Sequence, residues 1–153
     1  MSKSAVILYA LLILTPLVFN GCDKINKCHN IDCFTPPRWY LFDIVDSETE
    51  ENIFLSEDYD RNNVSVTDEN GNWVKHEFLS YSDTNLLSLA EIGWNTGRNR
   101  YTISLDAETE INLVLEMQEA NENCCTFFRV IDFGVEDYGW YEVENSEVIR
   151  IEL

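Results

Sequence analysis

The sequence predicts an all-β fold: an antiparallel β-sandwich, immunoglobulin-like or transthyretin-like, behind an N-terminal signal helix. Short apolar segments recur along residues 38–153, several with the two-residue alternation of a half-buried strand. Turn-forming residues separate them at the spacing of a sandwich. No sustained helical period supplies the crossover helices that a parallel sheet needs. At 153 residues and 45% hydrophobic, the chain suits one globular domain with its own core.

The leader comes first. Lys3 is the only charge before Cys22, and Ala5 to Phe19 is an apolar or near-apolar run of 15 residues. A charged start, a short apolar stretch and a small residue before the cut describe a secretory signal peptide over 1–21. A membrane-spanning helix is the rival reading. The run would reach only about 22 Å against a bilayer core of about 30 Å, and Pro16 interrupts it. Val18-Phe19-Asn20-Gly21-Cys22 resembles a bacterial lipobox, with Asn20 standing where Ala or Ser is usual. Two or three acyl chains on Cys22 would anchor the protein to a membrane stably, where a single chain would not. Cleavage there leaves residues 22–153, with a net charge of −19 once the amino terminus is acylated.

Residues 22–37 are expected to form a lipid-anchored tether, polar throughout and closed by Pro36-Pro37. Extended, it reaches about 50 Å. The domain proper is expected over 38–153. Its strands are placed near 38–45, 52–55, 63–67, 73–80, 85–92, 99–105, 110–117, 124–133, 139–144 and 147–152. Trp39-Tyr40-Leu41-Phe42 is apolar on both faces and suits a central strand. Asn70-Gly71 is a hairpin turn signal between 63–67 and 73–80. Residues 83–93 read as a strand, although Asp83 and Gly93 would also cap a short helix. Asn95-Thr96-Gly97 and Glu144-Asn145-Ser146 are expected turns. Tyr101, Ile103 and Leu105 share one face, as do Ile111, Leu113, Leu115 and Met117; Ile149 and Ile151 alternate with Arg150 and Glu152.

The charge balance excludes some partners. Ten Lys and Arg stand against 28 Asp and Glu, a net charge of −18. Nucleic-acid binders draw most of their affinity from cations meeting phosphates, and adhesion to anionic lipid needs the same. The membrane is therefore reached through the lipid anchor, not through surface charge.

With Cys22 acylated, Cys28, Cys33, Cys124 and Cys125 remain as disulfide candidates, and three pairings are open. A secreted compartment favours oxidation. Adjacent residues on a strand point to opposite faces, so a Cys124–Cys125 bond would be strained. The expected arrangement has the tether cysteines reaching the pair, Cys33 taking one and Cys28 standing as candidate for the other. Cys28 and His29 are zinc-ligand types, but no paired C-x₂-C spacing is present. Asp58, Asp60, Asn62 and Glu69 match several positions of a calcium loop; position six is Asn63 instead of Gly, and the strand at 64–67 would carry Glu69 away. A solvated acidic loop is the preferred reading, and the sequence predicts neither metal nor cofactor.

No nucleophile elbow, zincin helix or phosphate-cradling loop appears. His76 alternates with Val74 and Phe78, as a packed or rim histidine does. The most site-like stretch is 94–100. Its Trp94, Asn95, Arg98 and Arg100 combine an aromatic face, an amide and the only close pair of arginines, groups able to hold a sugar or an acidic peptide. The plainer reading is a hairpin whose arginines offset neighbouring acids. Trp39, Trp73 and Trp140 are assigned to core or rim packing.

Five stretches carry a family resemblance: Asp32-Cys33-Phe34-Thr35-Pro36-Pro37; Phe42 to Asp46 with Glu51-Asn52-Ile53-Phe54; Val66 to Asn72; Ile92-Gly93-Trp94; and Cys124-Cys125. Together they resemble small cell-envelope lipoproteins of Bacteroidetes, over most of the mature chain. The resemblance implies a compact all-β domain tethered to the envelope and carries over no catalytic residues. Lipoproteins of that kind use acidic residues after the anchor cysteine to reach the surface, whereas an acid there retains lipoproteins of some other bacteria at the inner membrane. Asp23 occupies that position, with Lys24 and Lys27 diluting the signal. The expected location is the outer membrane or cell surface. The expected function is that of a non-enzymatic interaction or structural module whose partner is an envelope protein, with surface glycan binding as the alternative.

Overall fold

A computed structural model describes residues 33, 37–56, 59–81, 84–122 and 124–153. The expected signal helix, Cys22, Cys28 and most of the tether lie outside the described residues. Two compact units are distinguished, 1–34 with 122–125 and 35–121 with 126–153. In the first, Cys33 is disulfide-bonded to Cys125, with their Cα atoms 5.1 Å apart. Cys124 is disulfide-bonded as well.

The second unit is all β, although Glu122 at the end of β6 and Cys125 at the start of β7 fall in the first. Its strands are β1 (Tyr40–Val45), β2 (Ser65–Asp68), β3 (Glu77–Tyr81), β4 (Thr84–Leu89), β5 (Gly97–Ser104), β6 (Glu110–Glu122), β7 (Cys125–Glu136), β8 (Gly139–Glu142) and β9 (Val148–Glu152). They form a five-stranded sheet in the order β3-β4-β1-β9-β8 and a four-stranded sheet in the order β2-β5-β6-β7. Among the described residues no helix is long and apolar enough to cross a membrane.

Period-two alternation explains the core. Tyr40, Phe42 and Ile44 of β1, Leu87 and Leu89 of β4, and Ile149 and Ile151 of β9 turn to one side of the first sheet. Val66, Tyr101, Ile103, Ile111, Leu113, Leu115 and Met117 do the same on the second. All of them join one buried cluster, so the two sheets share a core. The faces expected for β5, β6 and β9 are the faces buried.

Four expectations need correction. The sandwich is not wholly antiparallel, because β1 and β9 run parallel, with Ile44 beside Ile151. Parallel neighbours need a long connection, and here it is the whole intervening chain. Residues 52–55 are not a strand. Asn52 makes a single bridge to Val45, and a turn follows in which the Leu55 and Ser56 N–H groups donate to the Asn52 carbonyl at 2.9 and 3.3 Å. Ile53 and Phe54 are buried, so the apolar signal there marked core and not a ladder.

The third correction is the Asn70-Gly71 hairpin. The turn is present: Gly71 has φ +78°, and Asp68 accepts the N–H groups of Asn70 and Asn72 at 2.9 and 2.8 Å. Hydrogen bonds from Asn72 above all hold the Asp68 carboxyl below the usual range. Only one bridge, Thr67 to Trp73, follows the turn. Turn chemistry fixes the reversal but not the length of the ladder. Fourth, the segment expected over 73–80 is therefore split, and β3 pairs with β4 in the other sheet. The strand reading of 83–93 is met by β4, whose neighbours β3 and β1 cover both its edges.

Candidate functional site

The outer face of the five-stranded sheet carries the site. Because Tyr40 pairs with Leu89 and points inward, alternation sends Trp39 outward. Its ring is 54% exposed. It stands in a groove of about 190 Å³ lined also by Lys75, His76 and Glu77 ahead of and entering β3, and by Ser88 and Glu91 at the end of β4. Leu79 and Ala90 line the same groove. The His76 ring meets those of Trp73 and Phe78 at 6.0 and 6.2 Å. Its Nδ1 is buried without a hydrogen-bond partner among the described residues. Lys75 Nζ lies 3.1 Å from Glu77, and that hydrogen bond, with the charges of Glu77 and Glu91, pushes its pKa up.

The same outer face holds a buried carboxylate. Asp43 is only 5% exposed. One oxygen accepts from Asn52 Nδ2 at 2.8 Å and Thr84 Oγ1 at 3.0 Å; the other accepts from Arg150 Nε and Nη2 at 3.1 and 2.8 Å. Every acceptor position is used, as a buried charge requires. The network ties β1, β4, β9 and the turn at 52 together. Sequence reasoning did not single out Asp43. The available signal was a lone acid inside the apolar strand Tyr40–Val45.

The residues expected to form a site are only partly brought together. Asn95 and Arg100 line a second pocket of about 170 Å³ with Asp68, Glu69, Glu91 and Asn99. Trp94 and Arg98 are not among its lining residues. Trp94 is 44% exposed and meets the edge of Phe128 at 6.0 Å. Arg98 is exposed opposite Glu116 on β6. Arg100 Nη1 sits 2.7 Å from both oxygens of Glu136. Asn99 Nδ2 donates to the carbonyls of Asn95 and Gly97, each at 3.0 Å, closing its own turn. Tyr101 also lines this pocket, and burial raises its hydroxyl pKa.

Of the other tryptophans, Trp73 is 65% exposed, while Trp140 is half-buried with its ring against Phe133 at 5.1 Å. The core or rim assignment therefore holds for Trp140, whereas Trp39 and Trp73 are both more than half exposed. Asp58 of the calcium-like stretch lies outside the described residues. Asp60 accepts from the Asn62 backbone and amide at 2.9 and 2.8 Å, and β2 separates it from Glu69. Among the described residues no three His, Cys, Asp or Glu side chains converge as a metal site. Compared with known proteins, the chain matches no family model, no curated protein and no solved structure.

Proposed function

We propose that this chain is a cell-envelope lipoprotein, anchored through an acylated Cys22, whose β domain is a non-enzymatic interaction module. The leader supports the anchor: a short apolar run with one early lysine ends at Asn20-Gly21-Cys22. The resemblance to small Bacteroidetes lipoproteins supports the same reading and favours the outer membrane or cell surface. Nine strands in two sheets, with the chain changing sheet at β2, β3, β5 and β8, support an immunoglobulin-like or transthyretin-like arrangement.

The observation that carries the module reading is the groove at Trp39. It offers an open aromatic face among polar groups, and its charged groups are engaged with each other, Lys75 with Glu77. Such a surface holds a ligand; it is not arranged to move a proton or attack a bond. The exposure of Trp39 beside polar side chains also favours the second reading, a surface glycan-binding accessory protein.

Growth with labelled palmitate tests the anchor. The wild-type chain is expected to take up label and Cys22→Ala to lose it; a soluble, unlabelled wild-type product overturns the lipoprotein reading. Protease shaving of intact cells, followed by mass spectrometry of co-purified partners, tests location and partner.

A further inference from the structure

We propose that the groove at Trp39 is a subsite for one neutral pyranose ring, stacked on the indole and held at its hydroxyls by Glu77, Glu91, Lys75 and Ser88. The proposal rests on the glycan-binding reading and names the place and the ligand class. A single exposed aromatic is ordinary on a protein surface. What distinguishes Trp39 is that it borders a concave space where Leu79 and Ala90 extend the apolar surface and three separate segments supply donors and acceptors.

Size selects the ligand first. About 190 Å³ is well below the roughly 300–1,000 Å³ of sites for drug-sized molecules and cofactors. The volume suits one ring, and a larger ligand would extend beyond the groove. Chemistry selects next. A pyranose has an apolar C–H face and a rim of hydroxyls, which matches an indole surrounded by two carboxylates, an ammonium and a serine hydroxyl.

Charge selects last. The groove carries Glu77 and Glu91 against Lys75, on a chain of net charge −18, so an acidic sugar or phosphate is repelled. A small cation over the indole is the rival occupant, since aromatic faces and carboxylates attract cations. Here Lys75 is already the cation among those carboxylates, 3.1 Å from Glu77, and it opposes a second one. A neutral ring is what remains.

The test uses the full chain in a polyoxyethylene detergent. It is titrated with methyl glycosides of glucose, mannose and galactose, with glucuronate, and with tetramethylammonium, read by tryptophan fluorescence and saturation-transfer NMR. At least one neutral glycoside is expected to bind in the millimolar range typical of one-ring sites. Trp39→Ala should weaken it roughly tenfold or more, Trp39→Phe less, and Trp94→Ala by no more than about twofold. Glucuronate should bind more weakly than its neutral counterpart. Trp39 is exposed, so its variants should keep the parent circular dichroism spectrum. Glycoside binding that survives Trp39→Ala but falls with Trp94→Ala overturns the subsite and leaves the glycan reading standing. Tetramethylammonium binding more tightly than every glycoside overturns the ligand class. No glycoside binding at about 100 mM, far above the range of one-ring sites, overturns both the subsite and the glycan reading.

Discussion

The Trp39 groove and the Arg100 pocket are nearly equal in size, about 190 and 170 Å³, and Glu91 contributes to both. They differ in what their groups are already doing. At Arg100 the guanidinium meets Glu136 and the Asn99 amide closes its own turn, so the polar atoms satisfy one another. At Trp39 the largest apolar surface has an open face. The difference teaches that paired charges, which both pockets hold, do not by themselves make a site; the exposed indole is what the Trp39 groove adds. What can take a ligand is a face with no partner of its own, surrounded by groups able to orient what lands there.

The largest effect that sharpens this comparison lies away from both pockets. The Cys33–Cys125 bond closes a loop with a sequence separation of 92. Because Cys124 is disulfide-bonded as well, replacing both Cys33 and Cys124 with serine should lower stability by about 4–5 kcal/mol on the chain-entropy argument, read from urea denaturation, and Cys33→Ser alone by less. At low denaturant it should leave glycoside binding at Trp39 unchanged. A loss of binding in the folded variant would mean that the staple, and not the sheet, shapes the groove. Next in size is Asp43→Ala. It removes a buried carboxylate and leaves Asn52, Thr84 and Arg150 without their acceptor. The cost expected is about 3 kcal/mol, because the buried Asn52 amide and the Thr84 hydroxyl lose their acceptor and the part-buried Arg150 loses its counter-charge. A change below about 1 kcal/mol would mean the network is solvated in solution.

These two sites also mark where the sequence was legible. Strand faces could be read because alternation is a local property: Ile111, Leu113, Leu115 and Met117 are buried as their spacing requires. That Cys33 reaches the Cys124–Cys125 pair could be read, but not which of the two it takes. The groove could not be read. Its residues, at 39, 75–77 and 88–91, are distant in the chain and meet only through the β1–β4 and β3–β4 pairings. The tight stretch at 94–100 attracted notice because its residues are close in sequence. Strand alternation then sent Arg100 outward to Glu136 and Asn99 into its own turn. The parallel β1–β9 pair was hidden for the same reason, since nothing local in Val148–Glu152 states the direction of its neighbour.

A smaller effect tests the inner face of β1 against its outer face. Tyr40, three residues before Asp43, points into the core, and its hydroxyl has no hydrogen-bond partner among the described residues. Burial pushes its pKa up to about 12. The unfolded phenol ionises near pH 10, so between about pH 10 and 12 the unfolded state holds fewer protons than the folded one. The stability associated with Tyr40 is complete below pH 10 and is lost as pH rises through that window, by at most about 1.4 kcal/mol per unit. Tyr40→Phe should flatten this arm of the stability profile while changing neutral-pH stability little, since it deletes an unpaired buried hydroxyl. An unchanged alkaline slope would show that another group controls it.

The smallest effect is expected at the pair that defines the second pocket. Arg100 and Glu136 are 2.7 Å apart, but their side chains are 48% and 38% exposed. At that exposure water screens the attraction, and holding two long side chains together costs rotamer freedom. A double-mutant cycle with Arg100→Met and Glu136→Gln should give a coupling under about 1 kcal/mol that falls further with added salt. The asymmetry with Asp43 follows from burial alone. A charge whose partner is removed can hydrate at Arg100, whereas Asn52 and Thr84 beneath Asp43 cannot recover their acceptor from solvent. A coupling above about 2 kcal/mol would mean that the Arg100 pocket is drier than its exposure indicates. In that case its arginine, and not the tryptophan groove, would be the better-built place for an anionic ligand.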